Sequence, residues 1–345
     1  MEIGLFFQLP AWPEQRPGDR YEDTLRQIEL GDTLGFSVAW LAELHFEASR
    51  GVMPSPFLVA AAAAQRTQRI GLGTAVVLLP LHDPLRLAEE TAMLDHLSHG
   101  RLRLGIGRGH GRRQYAGFGV DVAERSSRFA EALEVMQRAW GPAPLHFRGR
   151  HFDYDGVTAV PKPLQQPHPP LLMAANSDDS VETAIALEIP VMMATVTATP
   201  EQIEARSRRY RAALPEAPER DVALLVPIHV AETDALARRD CEASHLSYYH
   251  DLARVARADS PEGPPAGSPL AGRIERFGSM TFETAAASDT AVGAPETVLR
   301  RLTDLHARYR CGHIMGWFSF GGRIPHDRVL ASMRLFAEEV APRLP

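Results

Sequence analysis

The chain has 345 residues, 45% of them hydrophobic and 23% charged, with 43 acidic against 37 basic side chains and a formal net charge of -6. That balance excludes a disordered chain and argues against a nucleic-acid partner held by phosphate neutralisation, and no apolar run reaches the roughly 20 residues that a membrane helix needs. Cys241 and Cys311 share no partner motif, so they read as buried thiols rather than a disulfide framework or a zinc site. Met1–Pro10 enters a strand-like segment without a basic leader, which makes a soluble, cytoplasmic protein the expectation.

In chain order, residues 3–9 read as a buried strand and residues 21–34 as a helix ended by Gly35. Residues 36–41 form a second strand. Its continuation, Glu43-Leu44-His45-Phe46, carries polar groups where a strand leaves the core, with Glu43 and His45 on one side by alternation. An alanine-rich helix spans residues 53–67. Then Arg69 to Gly111 builds a strand–helix–strand unit: the apolar run Ile70 to Leu79, a helix entered at Asp83-Pro84 and stopped by Gly100, and the alternating RLRLGI of residues 101–106. This last strand runs into Gly105, Gly107, Gly109 and Gly111 around Arg108. Such a loop lets backbone approach an anion while arginine supplies a forked, permanently charged donor. Taken alone it reads equally well as a tight surface turn, since short glycine motifs have little specificity.

Asp121 opens a long helix to Trp140, and residues 145–154 alternate as a hairpin closed by Asp155-Gly156. A proline-rich stretch delivers the chain to a strand at 171–175. Asn176-Ser177-Asp178-Asp179-Ser180 starts the next helix, a natural anion site and equally an ordinary cap cluster. Strands follow at 189–194 and 222–230, separated by a helix at 200–213, and another helix spans 232–256. Residues 257–294, rich in Gly, Pro, Ser and Ala and without clear periodicity, read as a functional lid or a disordered insertion. A helix, a last strand at 312–320 and a last helix complete about eight strand–helix pairs. The count favours a closed barrel over an open sheet, as one domain over residues 1–345. In a barrel the active site collects at the carboxyl ends of the strands.

Four motifs in register carry a resemblance: LGTAVVLLP (72–80), H-x-P-x-R-x-A-E (82–89), L-D-x-L-S-x-G-R (94–101) and LGIGRG (104–109), with WLAELHF (40–46) upstream. Together they resemble the bacterial luciferase-like flavin monooxygenases, over most of the chain. The resemblance implies a (β/α)8 TIM barrel with insertions and a two-component enzyme. Such an enzyme uses reduced FMN, supplied by a separate flavin reductase, and O2 to oxygenate a small organic substrate, here expected to be a hydrophobic or aromatic secondary metabolite. It carries flavin-phosphate contacts to Arg108, Ser177 and Ser180, with Gly109 in the same loop and Asn176 contributing through its backbone. It also places Thr74, Ala75 and Val76 beneath the flavin ring, where the family often has a non-proline cis peptide. Glu43 and His45 are the catalytic candidates. The luciferases proper have a histidine where this chain has Leu44, which removes their catalytic base.

Two rival readings stay open: a deazaflavin-dependent hydride-transfer enzyme, and a non-catalytic flavin-binding subunit, for which Leu44 is the motive. His96 and His99 have chelating spacing but no third ligand, so no metal is expected. His110, within the glycine loop, is placed to touch phosphate or substrate. The resemblance also assigns His82, Glu89 and residues 84–99 to a homodimer surface.

Overall fold

The computed structural model describes every residue except His110, Glu219, Arg220, Pro261 and Asp289, together with the side chain of Pro269. Eight parallel strands close a barrel, the first seven in chain order being β1 (Glu2–Phe7), β2 (Val38–Leu41), β3 (Gly71–Leu78), β4 (Leu102–Gly107), then, past the antiparallel hairpin β5 (Leu145–Arg148) and β6 (Asp153–Val157), β7 (Leu171–Ala174), β8 (Val191–Ala194) and β9 (Val222–Val230). A short strand, β10 (Ala291–Gly293), lies on the edge of β9, and β11 (His313–Trp317) fits between β9 and β1. The β8–β9 pairing completes the ring.

Strands buried on both faces read as continuous apolar runs because helices cover the outside and side chains fill the inside. Val222–Val230 and His313–Trp317 are buried at every residue. Alternate positions divide between two cores. Ala39, Leu41, Leu104, Ile106, Leu224 and Val226 pack under the helices, whereas Val38, Trp40, Ala42, Leu172, Met192, Leu225 and Met315 fill the barrel.

Trp40 closes the barrel floor. The Cβ that Gly73 lacks would lie 2.3 Å from its ring, so only glycine leaves room for the indole there. The Trp40 indole N–H donates to His313 Nε2 at 3.0 Å, while His313 Nδ1 sits 3.3 Å from the Glu2 carboxylate. Burial holds His313 below its ordinary pKa, and the hydrogen bond from His313 brings Glu2 down to about 2. A neutral imidazole that accepts from Trp40 and donates to Glu2 satisfies both observations.

Several sequence-based boundaries shift. Asp121 caps a single 3-10 turn, and the long helix starts afresh at Arg125. The hairpin does not reverse at Asp155-Gly156, which lies inside β6. It reverses at residues 149–152, where the Glu131 carboxylate accepts the backbone N–H groups of Arg150 and His151 at 2.9 and 2.8 Å. The segment 257–294 is not structureless: it holds helices Pro269–Gly278 and Phe282–Ala287 as well as β10. Ile274, Phe277, Phe282 and Ala285 bury their side chains.

Candidate active site

A cavity of about 400 Å³ opens at the carboxyl ends of the strands. Phe6, Ala42, Ala75, Val76, Met192, Leu225 and Met315 form its apolar wall, while Arg108, Gly109, Asn176, Ser177, Asp179 and Ser180 line a polar end. Arg50, Gln114, Arg125 and Arg273 also reach it. Ala75–Val76 is a non-proline cis peptide, at the position the resemblance implied. It coincides with a shift of β3 register against β4 between Thr74 and Val77. Thr74 itself is fully buried, and its hydroxyl donates to the Gly105 carbonyl at 2.7 Å, tying β3 to β4 outside the cavity lining.

At the polar end the helix Asp178–Ala186 starts with a reciprocal cap. The Ser180 backbone N–H donates to Ser177 Oγ at 3.3 Å, and the Ser177 N–H to Ser180 Oγ at 3.0 Å. Asn176 does more than lend its backbone: its Oδ1 accepts the Ala194 N–H at 2.8 Å and so joins the ends of β7 and β8. Arg108 pairs with Asp179 at 2.5 Å and donates to Ser126 Oγ at 3.1 Å. Its backbone carbonyl accepts the Tyr115 hydroxyl, and Gly109 takes a positive φ of 65° to turn the loop. A forked cation, two hydroxyls and a helix N-terminus on one rim make a fit donor set for a phosphate group. Expectations for His110 fall outside the described residues.

Glu43 anchors the other chemistry. It is 4% exposed and accepts from the Leu78 backbone N–H at 2.9 Å, with His45 Nε2 at 2.7 Å and His82 Nε2 at 2.9 Å from Oε1. Burial alone would raise this carboxyl, but hydrogen bonds from the two imidazoles and from Leu78 hold it below its ordinary value. Burial lowers His82, and the Glu43 carboxylate more than reverses that, leaving His82 raised. The expected pair of Glu43 and His45 is thus in contact, yet Leu44, not His45, is the neighbour that lines the cavity. The His45 ring lies against Phe118 at 4.8 Å. His82, which the resemblance assigned to a homodimer surface, hydrogen-bonds Glu43 while its side chain keeps 29% of its exposure. It stands just past the carboxyl end of β3, the signal that it belonged with the site.

Arg50, Arg125 and Arg273 were also not singled out from the sequence. Trp317, near the carboxyl end of the last barrel strand, is fully buried among Phe6, Tyr248 and Phe320 and lies outside the cavity lining. Cys241 and Cys311 are both buried. Among the described residues no helix is long and apolar enough to cross a membrane, and no group of three His, Cys, Asp or Glu side chains is arranged to hold a metal.

The family model described as luciferase-like monooxygenase matches residues 1–310. The chain belongs to the luciferase-like monooxygenase family. In the oxygenase component of the flavin-dependent trigonelline monooxygenase of Acinetobacter baylyi, 256 residues are 29% identical, covering 72% of this chain and 70% of that one. Uncharacterized protein y4wF of Sinorhizobium fredii is 43% identical over 165 residues, about half the length of each chain at 48%. The crystal structure of monooxygenase RslO1 from Streptomyces bottropensis superposes with a TM-score of 0.84 at 30% identity, covering 99% of both chains. At the level of fold alone, this luciferase-like chain also matches two further structures. One is the FMN complex of the oxygenating constituent of 3,6-diketocamphane monooxygenase from Pseudomonas putida, at a TM-score of 0.85 and 20% identity. The other is the coenzyme F420 dependent tetrahydromethanopterin reductase of Methanopyrus kandleri, at 0.73 and 17%.

Proposed function

We propose that the chain is the oxygenase of a two-component flavin monooxygenase, which takes reduced FMN from a separate reductase and uses O2 to oxygenate a small, largely apolar organic substrate. The observation that carries this reading is the joint arrangement of Arg108, Ser177 and Ser180 at one end of a cavity whose apolar wall includes Ala75 and Val76. Bound there, reduced FMN would supply the oxygen chemistry, as cofactors do in such enzymes. The chain's own part is to bind, orient and keep water out. An incoming phosphate competes with Asp179 for Arg108 and meets the hydroxyls of Ser177 and Ser180. The apolar wall of Phe6, Val76, Met192 and Met315 faces the ring and the substrate. Glu43, fixed by three donors, holds the His82 proton, and the pair sets the charge beside Leu44.

The same reading makes residues 257–294 the cover of the site, since the helix Pro269–Gly278 brings Arg273 to the cavity. It also gives the chain a two-fold partner. Met93 and Leu97 are exposed apolar side chains on the helix Pro84–Leu97, part of the surface the family resemblance assigned to a dimer, and Leu58, Val160 and Leu164 are further exposed apolar side chains.

Titration with oxidised FMN, reduced FMN and coenzyme F420 tests the reading, with oxygen uptake followed in the presence of a flavin reductase. Preference for reduced FMN together with oxygen uptake is expected. Preference for F420, which the reductase-like fold makes the competing outcome, would replace it with hydride transfer. Flavin binding without oxygen uptake would make the chain a binding subunit, as Leu44 in place of a base suggests.

A further inference from the structure

The cavity has a second cationic end, built by residues far from the phosphate-binding rim. Arg50 follows β2, Gln8 follows β1, and Tyr248 comes from the helix Asp234–Ala258 beyond β9, so they stand over the β9–β11–β1–β2 arc. Arg108 and Ser177 stand over β4 and β7. The three residues form a fixed unit. Gln8 Nε2 donates to the Arg50 carbonyl at 2.7 Å, and the Tyr248 hydroxyl donates to Gln8 Oε1 at 3.0 Å. The Arg50 guanidinium lies over the Tyr248 ring, 4.8 Å from its centroid.

Stacking satisfies a face of a guanidinium and leaves its in-plane N–H donors to be satisfied separately. Arg50 Nη1 is buried and has no hydrogen-bond partner, and among the described residues no carboxylate lies within ion-pair distance of Arg50. The acids nearby in sequence or on the facing helix are committed elsewhere. Glu43 holds His45 and His82. Glu47 holds Arg254 at 3.0 Å, and Asp251 holds Arg254 and the Ser49 hydroxyl, both at 2.7 Å. A buried donor left unmatched is costly, so a ligand that completes it is favoured over one that cannot.

We propose that Arg50 is a specificity-determining residue that binds an oxyanion of the substrate, so that the substrate class is organic carboxylates and phenolates with an apolar body. The oxyanion docks on the in-plane N–H groups of Arg50, Tyr248 stacks against the guanidinium while Gln8 fixes the Arg50 backbone, and the apolar body lies along Phe6, Leu44 and Met315. The inference rests on the flavin reading only in giving the Arg108 end to the cofactor.

The test is calorimetry of 2-naphthoate and its neutral isostere 2-naphthamide on the full-length protein, with and without saturating FMN, for wild type, R50Q and R50K. FMN affinity is measured in parallel. Wild type is expected to bind naphthoate at least tenfold more tightly than naphthamide. R50Q should lose that preference while its naphthamide and FMN affinities change less than twofold, and R50K should keep part of it. Equal affinity of wild type for the two probes, or a preference that survives R50Q, overturns the proposal. So does a matching loss of FMN binding in R50Q, which would assign Arg50 to the flavin. Failure of wild type to bind FMN at all would instead overturn the flavin reading, and the flavin-free titrations would still decide the role of Arg50. Thermal melting of R50Q within a few degrees of R50K and wild type shows that the variants compare as folded proteins.

Discussion

Replacing Glu43 by Gln probes the hydrogen-bond centre of the site through stability alone. The carboxylate has three donors and almost no contact with solvent: His45, His82 and the Leu78 N–H. Glutamine keeps one acceptor oxygen and turns an N–H2 group toward the remaining donors, so one imidazole loses its acceptor and the other loses charge assistance. With charge-assisted bonds worth ~1.5–3 kcal/mol, the loss comes to about 2–4 kcal/mol. A chain of 345 residues unfolds with an entropy on the order of 0.7 kcal/mol/K at its midpoint, so the melting temperature should fall by roughly 3–6 °C. The pH profile sharpens the test. Because the folded pKa of His82 is raised, its stabilisation is complete below the ordinary 6.5 and is lost as pH rises through the raised value. Because that of Glu43 is lowered, its stabilisation is complete above the ordinary 4.5 and is lost as pH falls through the lowered value. The gap between wild type and E43Q should therefore be widest between about pH 4.5 and 6.5 and close on either side. Melting followed by circular dichroism from pH 4 to 9 reads it. A gap that stays constant across that range, or no gap, would refute the coupling of Glu43 to His82.

R108A removes the forked cation from the polar end and should weaken FMN binding by about 1.5–3 kcal/mol with little change in melting temperature, read by calorimetry. Unchanged affinity would take Arg108 out of the flavin site. Wild type should scatter light as a particle of twice the 38.0 kDa chain mass, and M93E, at an exposed position of the helix Pro84–Leu97, should shift it toward the monomer. A wild-type monomer at micromolar concentration would count against the dimer. Limited proteolysis should cut between Glu262 and Ser268 and slow when FMN and a substrate are bound. Shortening that stretch should leave FMN binding intact while turning oxygen consumption from product toward hydrogen peroxide. Full coupling in the shortened protein would leave the segment a spacer.

The barrel was legible because its strands are buried on both faces: residues 222–230 were bounded to the residue by a run that is apolar except at His229. The cap at Ser177 and the helix entry at Asp83 were legible because local hydrogen bonds make them, with Asp83 accepting the Arg86 N–H at 2.9 Å. What escaped is what distant residues impose. Asp155-Gly156 has the local chemistry of a turn, yet the hairpin reverses where Glu131 reaches across from a helix. The helix Pro269–Gly278 does carry Leu270, Ile274 and Phe277 at helical spacing, a signal of only ten residues that the prolines and glycines ahead of it obscured. His82 lies 39 residues from Glu43, and nothing in its own neighbourhood announces that the two meet. Arg50 and Arg273 look like solvated charges until the fold turns them to the cavity.

The plugged base of the barrel, where Trp40, His313 and Glu2 interlock, governs traffic. Trp40 lies one inward layer below Ala42, which is part of the cavity wall, so the way in and the way out run through the rim on the strand carboxyl side. Cofactor, substrate, oxygen and product then share one doorway. Whichever molecule reaches deepest must arrive first and leave last, so an excess of the shallower one blocks the queue. Turnover in such a vessel obeys an order of addition, and too much of the later arrival slows it.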